Sequence, residues 1–317
     1  MKEKNELTAM KPRKKERGFN SLRREQNIFY WIMIVLPLIQ FVMFYIYVNL
    51  DSFLLAFEEY NPISNKFDFV YFKNFQYIFE DFSRPTGAIR KAFNNSLLAF
   101  GLGLLMQPLN LLIPYYVTKK GVGSEFFKVL LFLPSILSSM VLGLLYKYMV
   151  DAVIPGIALE YFNKEIMPPL YNFDSRFMTA WIFGAWFGIG GNILVMTGAM
   201  SQVPVSCVEA AHIDGCSATR EFFAITFPLI YPTWVTLFIV GLVGMFTGGP
   251  DLYLFFGETS DSVQTLGYYI NVKTLTSIAY ASYPEVSAIG LCVTLITTPI
   301  LIFVRWFLNR LDPNQEN

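Results

Sequence analysis

The sequence predicts an all-α polytopic membrane protein with six transmembrane helices, and three observations carry that prediction. The 317 residues are 54% hydrophobic and only 15% charged, whereas a soluble chain carries about a quarter charged residues. Mean hydropathy is +0.43. Six segments reach the ~20 mostly apolar residues that a bilayer crossing needs. They lie near Ile28–Leu50, Ala92–Val117, Phe126–Val150, Phe177–Met200, Leu229–Gly249 and Val286–Leu308. The layout is a basic tail (1–27), a transmembrane body (28–310) and a short polar tail (311–317).

The first segment is read as a span and not as a signal peptide, because its apolar run is long and no small-residue cleavage site follows. The tail before it carries Lys2, Lys4, Lys11, Arg13, Lys14, Lys15, Arg17, Arg23 and Arg24. Such a tail sets topology and touches anionic lipid headgroups; a nucleic-acid role lacks the aromatic or structural context it needs. Lys119 and Lys120 follow the second span, and Arg305 and Arg310 close the sixth. The opposite loops are acidic on balance, with Asp51, Glu58, Glu59, Asp68, Asp151, Glu160 and Glu285 among their residues. The Lys and Arg bias predicts both termini, and the loop between spans four and five, on the cytoplasmic side.

Within the predicted spans the charges are Lys128, Lys147 and Arg305, all near span ends, and Lys147 and Arg305 are read as snorkelling there. A proton- or sodium-coupled carrier places acids or His at mid-depth, and an ion channel shows charge rings or a carbonyl filter. The pattern therefore predicts a neutral solute and an external energy source. No catalytic constellation, metal site or cofactor motif is expected. His212 lacks companion ligands, and Cys207, Cys216 and Cys292 show no C-x-x-C spacing and read as small apolar filler.

The segment 201–230 interrupts the apolar runs with "EAAHIDGCSATREFFAITFPLIYP". Pro204 suits a helix start and Gly215 a left-handed helix end. Ser206, Ala210 and Asp214 recur at i, i+4 and i+8, with Cys207 and Ala211 alongside, so one flank is nearly free of bulk. A second short helix is expected from Ser217, with Pro228 and Pro232 stopping it before the fifth span. A short helix rigidly joined to two spans is suited to pass a docked partner's motion into the bundle.

This segment resembles the EAA loop of the inner-membrane permeases of binding-protein-dependent ABC importers. Glu209, Ala210, Ala211, Asp214, Gly215, Phe222, Ile225, Pro228 and Pro232 match its pattern; Cys216 replaces an Ala and Phe227 a Leu. "FKNFQYIF", "FFKVLLFLPSILSSMVLGLLYKYMV" and "AWFGIGGNILVMTGAMSQVP" resemble elements of the maltose-transporter type of sugar permease. The segment after Gly248-Gly249-Pro250 departs from that family's spacing. The resemblance implies a type I importer fold whose EAA helix sits in a cleft of an ATP-hydrolysing subunit, with Glu209 pairing with a basic residue there. It implies as partners a second permease subunit in a heterodimer, ABC ATPase subunits, an extracytoplasmic solute-binding protein and membrane lipid, in the bacterial cytoplasmic membrane. The chain contains no G-x-x-x-x-G-K-[ST], so ATP hydrolysis belongs to a partner.

Sugars are held by amides, hydroxyls and aromatic faces. Trp31, Trp181, Trp234 and Trp306 lie near span ends, where an interfacial belt accounts for them. Trp186 lies deeper, and with Asn192, Gln107, Asn110, Thr197 and Thr294 it forms the candidate substrate path. Asn95, Ser96, Thr297 and Thr298 are further polar positions, and any one of these residues also serves as interhelical glue. The expected solute is a sugar or oligosaccharide. The alternatives are a polyol, a glycerol phosphate ester or a uronate oligomer, or a carrier outside the ABC class.

Overall fold

The computed structural model describes residues 19–248, 251–258 and 263–313. Most of the basic tail, the Gly249–Pro250 step and the last four residues of the C-terminal tail lie outside them. The chain forms two compact units, Met1–Leu54 and Leu55–Asn317. In the first, α1 (Phe19–Phe41) runs through a π-helical stretch, Val42–Tyr47, into α2 (Val48–Leu55). Every side chain from Gln26 to Leu54 is exposed. A helix that is apolar all round over this length has the composition of a membrane span.

The second unit opens with an antiparallel hairpin that the all-α reading did not anticipate. β1 (Glu58–Asn61) pairs with β2 (Lys66–Phe69), placing Glu58 opposite Phe69. Asn61 Oδ1 accepts from the N–H groups of Ile63 and Ser64, an Asx turn that closes the loop. Asn74, on α3 (Lys73–Ser83), donates to the carbonyls of Ala56 and Glu58 at 2.9 and 2.8 Å. The Asn of the "FKNF" element thus pins the root of the hairpin.

The second apolar run is two helices, α4 (Ala88–Leu105) and α5 (Gln107–Thr118), broken at Met106. Pro108 causes the break: it has no N–H, and its ring crowds the carbonyl four residues back. The next run differs more from expectation. α6 (Ser124–Ile136) ends soon after Pro134, Leu137 is extended, and α7 (Ser139–Tyr148) starts afresh. α7 continues through a π-helical turn at Met149–Val153 into α8 (Ile154–Phe162). The apolar helix long enough to cross is therefore Ser139–Phe162, not 126–150.

That shift corrects the reading of two charges. Lys147 stands inside this helix and donates to the Phe255 carbonyl at 3.0 Å, so it does not snorkel at an end. Asp151, one turn on, belongs to the same helix and not to a loop; its carboxylate is shielded from solvent beside Lys147 and the Leu170 backbone.

α9 (Arg176–Met200) is unbroken. A Cβ on Gly190 would meet the Leu131 carbonyl at 2.7 Å, so glycine is what lets α6 lie against it. After α10 (Val205–Ile213), α11 (Ala218–Glu221) passes through a π-helical turn, Phe222–Thr226, into α12 (Phe227–Thr247). Pro228 and Pro232 do not stop this helix as expected. The widened turn ahead of Pro228 makes room for its ring where an α-turn would clash. α13 (Asp251–Phe256), α14 (Leu266–Leu275) and α15 (Tyr283–Arg310) complete the chain.

Among the described residues six helices are long and apolar enough to cross a membrane: Gln26–Leu55, Ala88–Thr118, Ser139–Phe162, Arg176–Met200, Ala218–Phe256 and Tyr283–Arg310. Three buried clusters hold the second unit. One joins α3, α4, α12, α14 and α15 around Ile89, Phe246 and Ile289. Another joins α7, α9, α13 and α14 around Phe183, Phe255 and Tyr268. The third, around Met196, Met200, Phe222 and Ile230, joins α5, α9 and α12 at the end that carries α10.

Candidate functional site: an exposed helix and a cavity

α10 begins after Pro204, whose extended backbone makes it the N-cap residue. It ends in a Schellman motif. Cys216 N–H donates to the Ala211 carbonyl and Gly215 N–H to that of His212, at 2.9 and 3.1 Å. Gly215 takes φ +72°, the left-handed conformation its position suggested. A Cβ there would touch nothing within 4 Å, so the need for glycine is conformational and not steric. Glu209, Ala210, Asp214 and Gly215 are exposed, and only Ala211 turns inward. Val205 and Ile213 also stand open at 68% and 86%. Cys207 is exposed on the same helix, which corrects its reading as small apolar filler.

The loop is anchored behind this surface. Phe222 is 4% exposed in the third cluster and meets the Tyr115 ring edge-on at 4.9 Å. Pro228 is half-buried a turn and a half further on. Beside Phe222 lies a residue the sequence reading passed over. Glu221 is 1% exposed, with Lys119 Nζ at 2.6 Å, His212 Nε2 at 3.4 Å, and the hydroxyls of Tyr115 and Thr226 each at 3.3 Å. Tyr115 also donates to the Ala218 carbonyl at 3.0 Å. Ser217 caps α11, its Oγ accepting from Arg220 N–H.

Burial disfavours the Glu221 carboxylate, and the hydrogen bond and charge of Lys119, with His212 and the Tyr115 and Thr226 hydroxyls, offset that cost. Lys119 follows the C-terminus of α5 and Glu221 sits in the first turn of α11, so both charges also suit their helix dipoles.

The second feature is a cavity of about 360 Å³ between α4, α5, α9 and α12. Gln107, Asn110 and Asn192 line it, together with Trp181, Gly188 and Thr265. No lining residue is charged. The Pro108 break delivers Gln107 and Asn110 to the cavity at the point where the backbone ladder is interrupted. Asn110 Oδ1 is buried without a partner among the described residues. The lining face of α9 carries Phe177, Trp181, Gly184, Gly188 and Asn192, at steps of three or four residues.

The other candidate path residues stand elsewhere. Trp186 is absent from the lining; its ring contacts Phe183 edge-on at 6.2 Å and is 37% exposed. Thr197 Oγ1 is buried and unpartnered outside the cavity. Thr294 and Thr297 bond back to the carbonyls of Gly290 and Val293 within α15. Asn95 donates to the Gln264 carbonyl, and Ser96 accepts from Leu266 N–H, so both tie α4 to the stretch leading into α14. Trp181, assigned to the interfacial belt from its position, is the tryptophan at the cavity. Its i, i+3, i+7, i+11 spacing with Gly184, Gly188 and Asn192 was the available signal.

Comparison with known proteins agrees with this architecture. The sequence model of the family described as "Binding-protein-dependent transport system inner membrane component" matches residues 93–317. The multiple sugar-binding transport system permease protein MsmF of Streptococcus mutans is 24% identical over 256 residues, covering 79% of this chain and 86% of that one. The arabinooligosaccharides transport system permease protein AraP of Bacillus subtilis is 23% identical over 265 residues, 81% of each. The sn-glycerol-3-phosphate transport system permease protein UgpA of Rhizobium meliloti is 27% identical over 240 residues, covering 73% and 80%. Among solved structures, a chain of a bacterial ABC transporter involved in the import of the acidic polysaccharide alginate has the same fold. It superposes with a TM-score of 0.73 at 18% identity, covering 90% of this chain and 96% of that one.

Proposed function

Because the chain belongs to the family of binding-protein-dependent transport system inner membrane components, we propose that it is a permease subunit of an ABC importer for a sugar or oligosaccharide. It forms half of the translocation path. A second permease completes the path, an extracytoplasmic solute-binding protein delivers the solute, and separate ABC ATPase subunits supply the energy. Both termini and α10 lie in the cytoplasm of a bacterial cell whose cytoplasmic membrane holds the complex. The ATPase docks on α10 through Glu209, Ala210 and Asp214, with Ala211, Gly215, Phe222 and Pro228 shaping and rooting that surface.

The observation that carries the solute reading is the cavity. Its polar groups are amides, a hydroxyl and the edge of an indole, with an unpaired acceptor on Asn110 and no charge. Amides beside an aromatic wall suit a polyhydroxylated neutral solute, whose hydroxyls donate to and accept from them. Gln107, Asn110, Asn192 and Trp181 are the contacts proposed; neither Lys147 nor Asp151 belongs to the lining, and Lys147 donates to the carbonyl of the lining residue Phe255. Trp186, Thr197 and Thr294 remain candidates only for a path that opens in another state of the transporter.

Uptake into vesicles carrying the full transporter, with ATP and the binding protein, tests the assignment. A neutral oligosaccharide is expected to accumulate only when both are supplied. Accumulation without ATP would mean a carrier of another class, and preference for a uronate oligomer would overturn the neutral-solute reading.

A further inference from the structure

The carboxylate of Glu221 is buried where three elements meet. Lys119 and Tyr115 come from the end of α5, His212 from α10, and Glu221 itself opens the helix that becomes α12. Burying a carboxylate costs several kcal/mol unless it is paired and hydrogen-bonded. Here both oxygens are engaged: Oε1 with Lys119 and Thr226, Oε2 with His212 and Tyr115. Phe222 and the rest of the third cluster would hold α5 and α12 together without any charge. His212, whose side chain is 60% exposed, is the α10 residue described in this cluster, and it reaches Glu221 at 3.4 Å. Of the other α10 side chains, Ala211 is buried and Val208 half-buried, so a polar tie at His212 adds direction to a small apolar contact.

We propose that Glu221 is a positioning residue for energy coupling: with Lys119 it locks α10 to α5 and α12, so that motion of a docked ATPase reaches the helices that line the cavity. α5 and α12 both contribute to that lining, through Gln107 and Asn110 and through Phe238 and Met245. A charge cluster suits this task better than more apolar contact. Its geometry is directional, so it resists rotation of α10 where a greasy contact would slide. The inference rests on the importer reading above.

The test uses the assembled transporter in lipid vesicles, with its binding protein and solute, and reads stimulation of ATP hydrolysis alongside abundance and subunit assembly. Lys119→Met alone leaves the buried carboxylate without its lysine and is expected to lower abundance. Lys119→Met with Glu221→Gln removes both charges and is expected to restore abundance and assembly. In that double variant, stimulation by loaded binding protein should still fall at least about fivefold, the low end of ordinary coupling between sites. Lys119→Arg keeps the charge and is expected to retain stimulation. Wild-type stimulation in the double variant would overturn the inference. So would loss of assembly in step with stimulation, because the cluster would then serve folding alone. Absence of stimulation in the wild-type transporter would instead contradict the importer reading itself.

Discussion

The root of the α10 loop and the cavity between α4, α5, α9 and α12 treat polar groups in opposite ways. At the root, a carboxylate that is 1% exposed has every oxygen engaged, by a lysine, a histidine and two hydroxyls. In the cavity, amides stand among glycines and aromatic rings with no charged residue in the lining, and Asn110 Oδ1 has no partner among the described residues. A satisfied buried network holds a geometry. An unsatisfied buried acceptor is costly unless something arrives to fill it. The first region is built to stay put, and the second to receive.

The largest effect is expected from breaking the root. Lys119→Met should destabilise the purified chain by about 3 kcal/mol, the low end for a broken buried pair because the lysine is partly exposed. Thermal unfolding in detergent measures it, and a loss no larger than that of Lys120→Met would erase the contrast. Gly215→Val comes next. Its φ of +72° should cost about 1–2 kcal/mol in a residue with a Cβ and tilt α10. Uptake should fail while the binding protein still docks; normal uptake would make the loop a mere linker.

The cavity side predicts the reverse pattern, function without stability. Asn110→Leu should leave the melting temperature within about 1 °C, or raise it, since an unpaired polar group is gone, yet slow uptake severalfold. If melting falls in step with uptake, the amide is packing and not contact. The smallest effect sharpens the two tryptophans. Trp181→Ala should slow uptake more than Trp186→Ala at equal abundance, and the opposite order would move the path to the other face of α9.

Much of this was legible in the chain because membrane helices and helix caps are local. Gly215 announced a left-handed cap, and its φ agrees. Pro108 and Pro134 were visible, but an apolar run does not say whether a proline kinks or ends a helix. That depends on what packs beside it, so α6 and α7 read as one span and Lys147 and Asp151 were misplaced. Pro232 was expected to stop a helix that in fact absorbs it, because the π-turn before Pro228 leaves no sequence signature. Glu221 was invisible for a different reason. Its meaning lies in Lys119, about a hundred residues earlier, whose charge already had an explanation as a topology signal. The β1–β2 hairpin escaped because four-residue strands with adjacent acids show no clean alternation.

Copurification shows whether α10 is where an ATP-hydrolysing subunit docks. Glu209 is exposed on α10, so Glu209→Arg should leave the chain's abundance and melting unchanged. An ATPase subunit is expected to copurify with the wild-type chain and to be lost from Glu209→Arg. An ATPase held equally by both, or by neither, would contradict docking at α10.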